Sequence, residues 1–132
     1  MTQQSQAARL VAQIIELEHE RSNLLQKELA PSGAWIHSYS INRRFEDGTI
    51  ATYTYAKWQS LQPIFKSKKD PKTMVRHQHI GRIESSTGLG MTEATEAAFD
   101  AFNRTLRVKA IDEAMNTIQS TLQQLDGLKS IL

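Results

Sequence analysis

The chain contains no cysteine, and this absence removes several kinds of chemistry at once. A disulfide framework, a zinc site with thiolate ligands and a cysteine nucleophile all require that residue. The chain also has no apolar run near the roughly 20 residues that a membrane-spanning helix needs. Its first ten residues, MTQQSQAARL, lack the basic and then apolar regions of a secretory signal. We therefore expect a cytoplasmic protein.

Motifs of catalysis are equally scarce. The segment TGLGMT (87–92) precedes a helical pattern, but it has neither the lysine nor the spacing of a phosphate-binding P-loop. Glu16, Glu18 and Glu20 follow one another at spacings that cannot place all three carboxylates on one helical face. We expect no enzymatic activity and no cofactor.

One pair of residues could hold a metal ion. His77 and His79 would point to the same side of a strand, about 7 Å apart, because side chains alternate along a strand. The pair resembles the His-hydrophobic-His strand of nicking and relaxase endonucleases. Here Gln78 stands between the histidines, and the three tyrosines fall in predicted strands rather than on a helix. A metal-dependent His-x-His nicking endonuclease is therefore kept as a second alternative function.

What the chain does have is an uneven distribution of charge. With 132 residues, 39% hydrophobic and 23% charged, it has the composition of an ordinary globular protein and the length of one domain, 1–132. Residues 33–83 carry nine basic and three acidic side chains, a net charge of +6. The segments before and after carry −1 and −3. This asymmetry indicates a polyanion-binding region between neutral or acidic scaffold segments.

Periodicity predicts an α+β fold with two long helices around a three-stranded antiparallel sheet. Apolar residues at helical spacing predict a helix over 6–29, which should stop before Pro31. Alternation at period two begins at Ala34, and Asp47-Gly48 between two such segments predicts a hairpin. A third strand is predicted over 74–83, after the loop KSKKDPK (66–72), which completes a basic sheet over 34–83.

The last segment predicts a helix over 92–130 with Thr92 as its N-cap. An aromatic stripe that includes Phe99 and Phe102 is suited to lie against the sheet. Further on, spacings of three and four are those of the a and d positions of a coiled coil. We call these residues the apolar seam: Val108, Ile111, Met115, Ile118, Leu122 and Leu125. The seam predicts either an antiparallel hairpin with the first helix or contact with a second protomer, and we expect a homodimer.

Basic and aromatic residues alternate within the predicted sheet, a combination that binds nucleic acid through phosphate neutralisation and flat contact surfaces. A β-ribbon can enter the major groove of DNA, and single strands can instead stack on tyrosines. The register is not set by the sequence, so the side on which Tyr53 and Tyr55 emerge stays open. The expected nucleic-acid-binding residues are Arg43, Arg44, Tyr53, Tyr55, Lys57, Lys66, Lys68, Lys69, Lys72, Arg76 and Arg82.

The order of these segments also resembles known proteins. The predicted order is a helix, a hairpin with Tyr53, Tyr55 and Trp58, a basic strand ending in His-Ile-Gly-Arg (79–82) and a second helix. This order resembles that of a set of small uncharacterised prokaryotic proteins. The three-strand-then-helix core resembles the arm-type DNA-binding domains of tyrosine integrases. That resemblance implies DNA binding by the sheet.

The leading hypothesis is therefore a non-enzymatic nucleic-acid-binding protein, with DNA favoured over RNA and double-stranded DNA as the expected form. The basic sheet would contact the nucleic acid, and the helices would serve as scaffold and dimerisation surface. The alternative is a protein-interaction or assembly adaptor whose working surface is the apolar seam.

Overall fold

The structure is a computed structural model that describes residues 2–131, without the side chains of residues 3 and 128–131. Two helices, α1 (Gln3–Leu24) and α2 (Glu93–Ile131), flank five strands in the chain. Three of these strands form one antiparallel sheet, which confirms the α+β fold class. Within the described residues, neither helix combines the length and apolar character needed to cross a membrane.

The chain divides into two compact units. The helical unit comprises the described parts of Met1–Glu28 and Arg104–Leu132, and the sheet unit comprises Leu29–Asn103. Helix α2 begins in the sheet unit and continues into the helical unit. The expectation of one domain over 1–132 stays a prediction.

In the helical unit, α1 begins after Thr2, whose hydroxyl accepts a hydrogen bond from the backbone N–H of Ser5 at 3.1 Å. The helix ends at Leu24, so the predicted end at residue 29 is wrong. Two short-range backbone hydrogen bonds turn the chain at residues 23–27. Ala30, which already belongs to the sheet unit, packs against the core of that unit.

The two helices run antiparallel within this unit. Arg21 Nε donates to Asp112 Oδ1 at 2.7 Å, and Arg107 Nε donates to Glu20 Oε1 at 2.7 Å. Hydrogen bonding to Arg107 lowers the pKa of the Glu20 carboxyl, so this pair stays charged at neutral pH. The apolar seam lies in this unit, with Val108 and Ile111 buried and its other four residues half-buried.

The sheet unit contains β1 (Ala34–Arg44), β2 (Ile50–Ser60) and β5 (His77–Ser85) in the order β1-β2-β5. The predicted hairpin is confirmed, since Gly48 has φ 87° and Asp47 Oδ1 accepts from the N–H of Thr49 at 2.9 Å. A left-handed φ of this kind favours glycine. Strands β1 and β2 pair antiparallel from Ala34↔Ser60 to Arg44↔Ile50.

The prediction of one continuous third strand over 74–83 is wrong. Strand β4 (Met74–Val75) pairs with β3 (Phe65–Lys66) in a separate two-stranded ribbon, whereas β5 pairs with β2. Arg76 lies at the change of partner, and its carbonyl accepts a hydrogen bond from the N–H of Ser60 at 2.9 Å. The strand breaks because its two parts pair with different neighbours.

The core of the sheet unit lies between one face of the sheet and the first turns of α2. Trp58 is buried, and its ring centroid is 6.3 Å from that of Phe102 in an edge-on contact. Ala98 is buried in the same cluster. The expected placement of the aromatic stripe is thus confirmed at Phe102. Thr92 is confirmed as the N-cap, since its hydroxyl accepts from the N–H of Thr95 at 3.3 Å.

Candidate nucleic-acid interface

The opposite face of the three-stranded sheet carries most of its aromatic and cationic side chains. We call it the tyrosine face and define it by His37, Tyr39, Tyr53, Tyr55, Lys57, His79 and Arg82. The register arranges these residues in rows that cross all three strands. One row is His37–Lys57–His79 and the next is Tyr39–Tyr55–Arg82. Residues directly opposite one another in adjacent strands share a face, so each row brings its side chains together.

The rings of this face contact one another. The Tyr55 ring centroid lies 5.8 Å from that of Tyr39, 6.3 Å from that of Tyr53 and 5.6 Å from that of His79. The Tyr39 hydroxyl and His79 Nδ1 are within hydrogen-bonding distance at 3.2 Å. Lys57 Nζ lies 5.3 Å from the centroid of the Tyr39 ring, which is a cation–π distance. The three tyrosines are half-buried, and the histidines are exposed.

Trp58 does not belong to this face. The sequence places Trp58 close to Tyr53 and Tyr55 in one aromatic pattern, but its even position on β2 directs it to the core side. The packing of Trp58 against Phe102 turns Tyr53 and Tyr55 to the other face, where they lie opposite Ile41 and Tyr39. Flat aromatic surface on the tyrosine face comes from tyrosine and histidine, and half-buried Trp35 lies on the same side of β1.

The predicted basic residues occupy several positions in the sheet unit. Arg43 and Arg44 are exposed at the end of β1, on opposite faces of that strand. Arg82 lies opposite Tyr55, and its Nε donates to the carbonyl of Gly90 at 3.0 Å. Arg76 is exposed between β4 and β5. The four predicted lysines Lys66, Lys68, Lys69 and Lys72 lie on β3 or in the turn after it, and all are exposed.

A cleft of about 400 Å³ lies between this turn and the start of β5. We call it the lysine cleft, and its polar lining comprises Lys66, Ser67, Lys68, Lys69, His77, Gln78 and His79. The Ser67 hydroxyl oxygen accepts from the N–H of Lys69 at 3.2 Å, which holds the turn that carries the lysines. Since His79 belongs to both, the lysine cleft and the tyrosine face are continuous.

One acidic side chain lies in the same turn. The Asp70 carboxylate accepts from the N–H of Lys72 at 3.0 Å and from the Thr73 hydroxyl at 2.8 Å. The hydrogen bond from the Lys72 backbone is the main cause that lowers the pKa of this carboxyl. Asp70 thus stays ionised and shapes the turn through its hydrogen bonds, and it does not line the lysine cleft.

In the part of the chain that it describes, the structure places no third metal ligand beside His77 and His79. Among the described residues, no group of three or more histidine or acidic side chains is placed to hold a metal ion. His79 Nδ1 already lies within hydrogen-bonding distance of the Tyr39 hydroxyl. A structural or catalytic zinc site uses three or four protein ligands, which His77 and His79 alone do not supply.

We expect zinc or manganese to leave the melting temperature unchanged, because two exposed imidazoles bind such ions weakly. No cleavage of a single-stranded oligonucleotide is expected with either ion. Thermal unfolding with and without each metal, and gel analysis of the oligonucleotide, check both points. If a divalent ion produced nicking of the oligonucleotide and His77→Ala abolished it, the endonuclease alternative would be favoured again.

Comparison with protein-family models, curated proteins and solved structures finds no match to this chain. The resemblance to integrase arms and to the small prokaryotic proteins gains no support there, and no argument below rests on it. The case for a function depends on the geometry of the sheet unit.

Six polar or aromatic residues of this surface are outside the predicted nucleic-acid-binding set. His37, Tyr39 and His79 lie on the tyrosine face, and Ser67, His77 and Gln78 line the lysine cleft. The alternation of β1 was a sufficient signal to place His37 and Tyr39 on one side of the strand. Their grouping with Tyr55 and His79 required the register between strands, which the alternation leaves undetermined.

Proposed function

We propose that the protein binds nucleic acid, with DNA as the favoured form, through the tyrosine face and the lysine cleft, and that it acts without catalysis. The observation that carries this proposal is the register of β2. It collects tyrosine rings and cationic side chains on the sheet face opposite the one that packs against α2.

The chemistry of the surface fits a polyanion with flat bases. Lysine and arginine neutralise phosphates, tyrosine hydroxyls donate to phosphate oxygens, and aromatic rings stack on bases. Segment 33–83 carries its net charge of +6 largely on this sheet and on the turn beside it.

Assembly is the second part of the proposal, and we propose a homodimer formed through the helical unit. On α1, Val11 is 45% exposed, Ile15 is 61% exposed and Leu25, just beyond its end, is 44% exposed. Val11 and Ile15 are one helical turn apart and form an exposed apolar patch beside the side of α1 that faces α2 within the unit. A second copy of the same hairpin would cover this patch in a four-helix arrangement.

The test of nucleic-acid binding is its dependence on salt. We expect affinity for DNA to fall steeply with salt concentration, because each neutralised phosphate releases counterions. Replacing Lys66, Lys68 and Lys69 together with alanine should lower the log–log slope by about two to three, roughly one unit for each lost phosphate contact. Fluorescence anisotropy from about 50 to 200 mM salt measures the slope.

The matched control replaces Lys27 and Lys109, two exposed lysines of the helical unit, and should keep the wild-type slope. No binding of wild-type protein to any DNA or RNA at low salt would end the nucleic-acid proposal and favour the assembly adaptor.

A further inference from the structure

We infer that the nucleic acid bound here is single-stranded, with unpaired bases on the tyrosine rings and the adjoining phosphates in the lysine cleft. This inference rests on the proposed function and goes beyond it, since it names the form of the ligand and divides the surface into a base-contacting part and a phosphate-contacting part.

The spacing of the aromatic rings favours a single strand over a duplex. The Tyr55 ring centroid lies 6.3 Å from that of Tyr53 and 5.6 Å from that of His79, and His79 lines the lysine cleft. Bases in a duplex strand follow one another at about 3.4 Å. Successive rings can therefore meet successive bases only where the strand is extended and its bases have separated.

The second argument concerns which part of a base each form of nucleic acid presents. In a duplex, the faces of the bases are covered by their neighbours, and the grooves expose only base edges. Tyrosine rings recognise base faces, and unpaired strands supply them.

The candidate phosphate-binding groups lie next to the aromatic rings. The lysine cleft contains three lysines, the Ser67 hydroxyl and the Gln78 amide, all suited to phosphate oxygens. His79 lines this cleft and lies 5.6 Å from the Tyr55 ring centroid. A base over Tyr55 thus has a place for its neighbouring phosphate within the reach of one nucleotide.

The Tyr39 ring has a different role. Lys57 Nζ lies over it, and its hydroxyl is 3.2 Å from His79 Nδ1. Tyr39 therefore contacts the imidazole and the ammonium group, and Tyr53 and Tyr55 are the tyrosines proposed to stack on bases.

The experiment compares a fluorescein-labelled oligothymidine of about 12 nucleotides with a DNA hairpin duplex of similar charge. We expect the wild-type protein to bind the single strand at least about tenfold more tightly. Tyr53→Leu should lose about tenfold in affinity for the single strand, within the range for stacking of one base on one aromatic ring. Tyr53→Phe keeps the ring and should keep the affinity.

Tyr53 is the chosen position because, among the described residues, its ring contacts the Tyr55 ring but not those of Tyr39 and His79. Circular dichroism of each variant verifies that the sheet is folded.

If Tyr53→Leu does not fold, the comparison of Lys68→Ala/Lys69→Ala with Lys27→Ala/Lys109→Ala takes its place. Lys27 and Lys109 are exposed residues of the helical unit, so only the cleft variant should lose single-strand affinity, by about tenfold or more.

The outcomes separate this inference from the proposed function. A duplex bound as tightly as the single strand, or equal affinities of Tyr53→Leu and Tyr53→Phe, overturns the single-strand inference and leaves nucleic-acid binding in place. Binding of neither DNA form nor of a single-stranded RNA by the wild-type protein overturns both.

Discussion

Replacing Gly81 with alanine is expected to lower the free energy of unfolding by about 3 kcal/mol, the upper end of the usual cost of overpacking. A Cβ at this buried position would lie 2.5 Å from Thr92 Oγ1 and 2.7 Å from Thr95 Oγ1. Thr95 is fully buried, so it has little room to move away. Thr92 is the N-cap of α2, and its displacement would cost the cap hydrogen bond as well.

Urea unfolding followed by circular dichroism measures this loss, provided that the transition is two-state. Gly90→Ala is the control, because a Cβ there meets no atom within 4 Å and the residue has no left-handed φ. It should change the free energy of unfolding by less than about 0.5 kcal/mol. Equal midpoints for the two variants would contradict the close approach of β5 to the start of α2.

Ile15→Asp is expected to convert the proposed homodimer to a monomer without unfolding it. Ile15 is 61% exposed, so a charge there costs little in one chain, whereas in a dimer interface it would be buried without a partner. Light scattering at tens of micromolar should give about twice the chain mass of 14.9 kDa for the wild type and about that mass for the variant.

Gln13→Asp adds the same charge at another exposed position of α1 and should leave the dimer intact. Ile118→Asp, on the apolar seam, is expected to dissociate or unfold the protein. Its half-buried side chain lies within the hairpin, so unfolding is the larger effect. If the wild-type protein has the mass of one chain and full helicity, the homodimer proposal is wrong and the helical unit is a monomeric hairpin.

The local signals of the sequence determined where most elements begin and turn. Thr92 marks the start of α2, because a threonine hydroxyl can satisfy an N–H that the first helical turn leaves free. Asp47 and Gly48 determine the turn between β1 and β2, since one supplies the side-chain acceptor and the other the left-handed φ. These effects act within a few residues, so they can be read without knowledge of the fold. The uneven charge that led to the polyanion hypothesis is likewise a property of the sequence alone.

Contacts between distant parts of the chain decided the rest. The predicted third strand breaks at Arg76 because β4 pairs with β3 whereas β5 pairs with β2, and such pairings form only in the folded chain. The end of α1 at Leu24 was likewise not evident from the apolar periodicity, which continues to Leu29. The candidate site depends on the same kind of contact. Alternation shows that Tyr53 and Tyr55 share a side of β2, but a shift in register by one residue would reverse which side faces α2. Only the packing of Trp58 against Phe102 determines that the tyrosines lie on the opposite face.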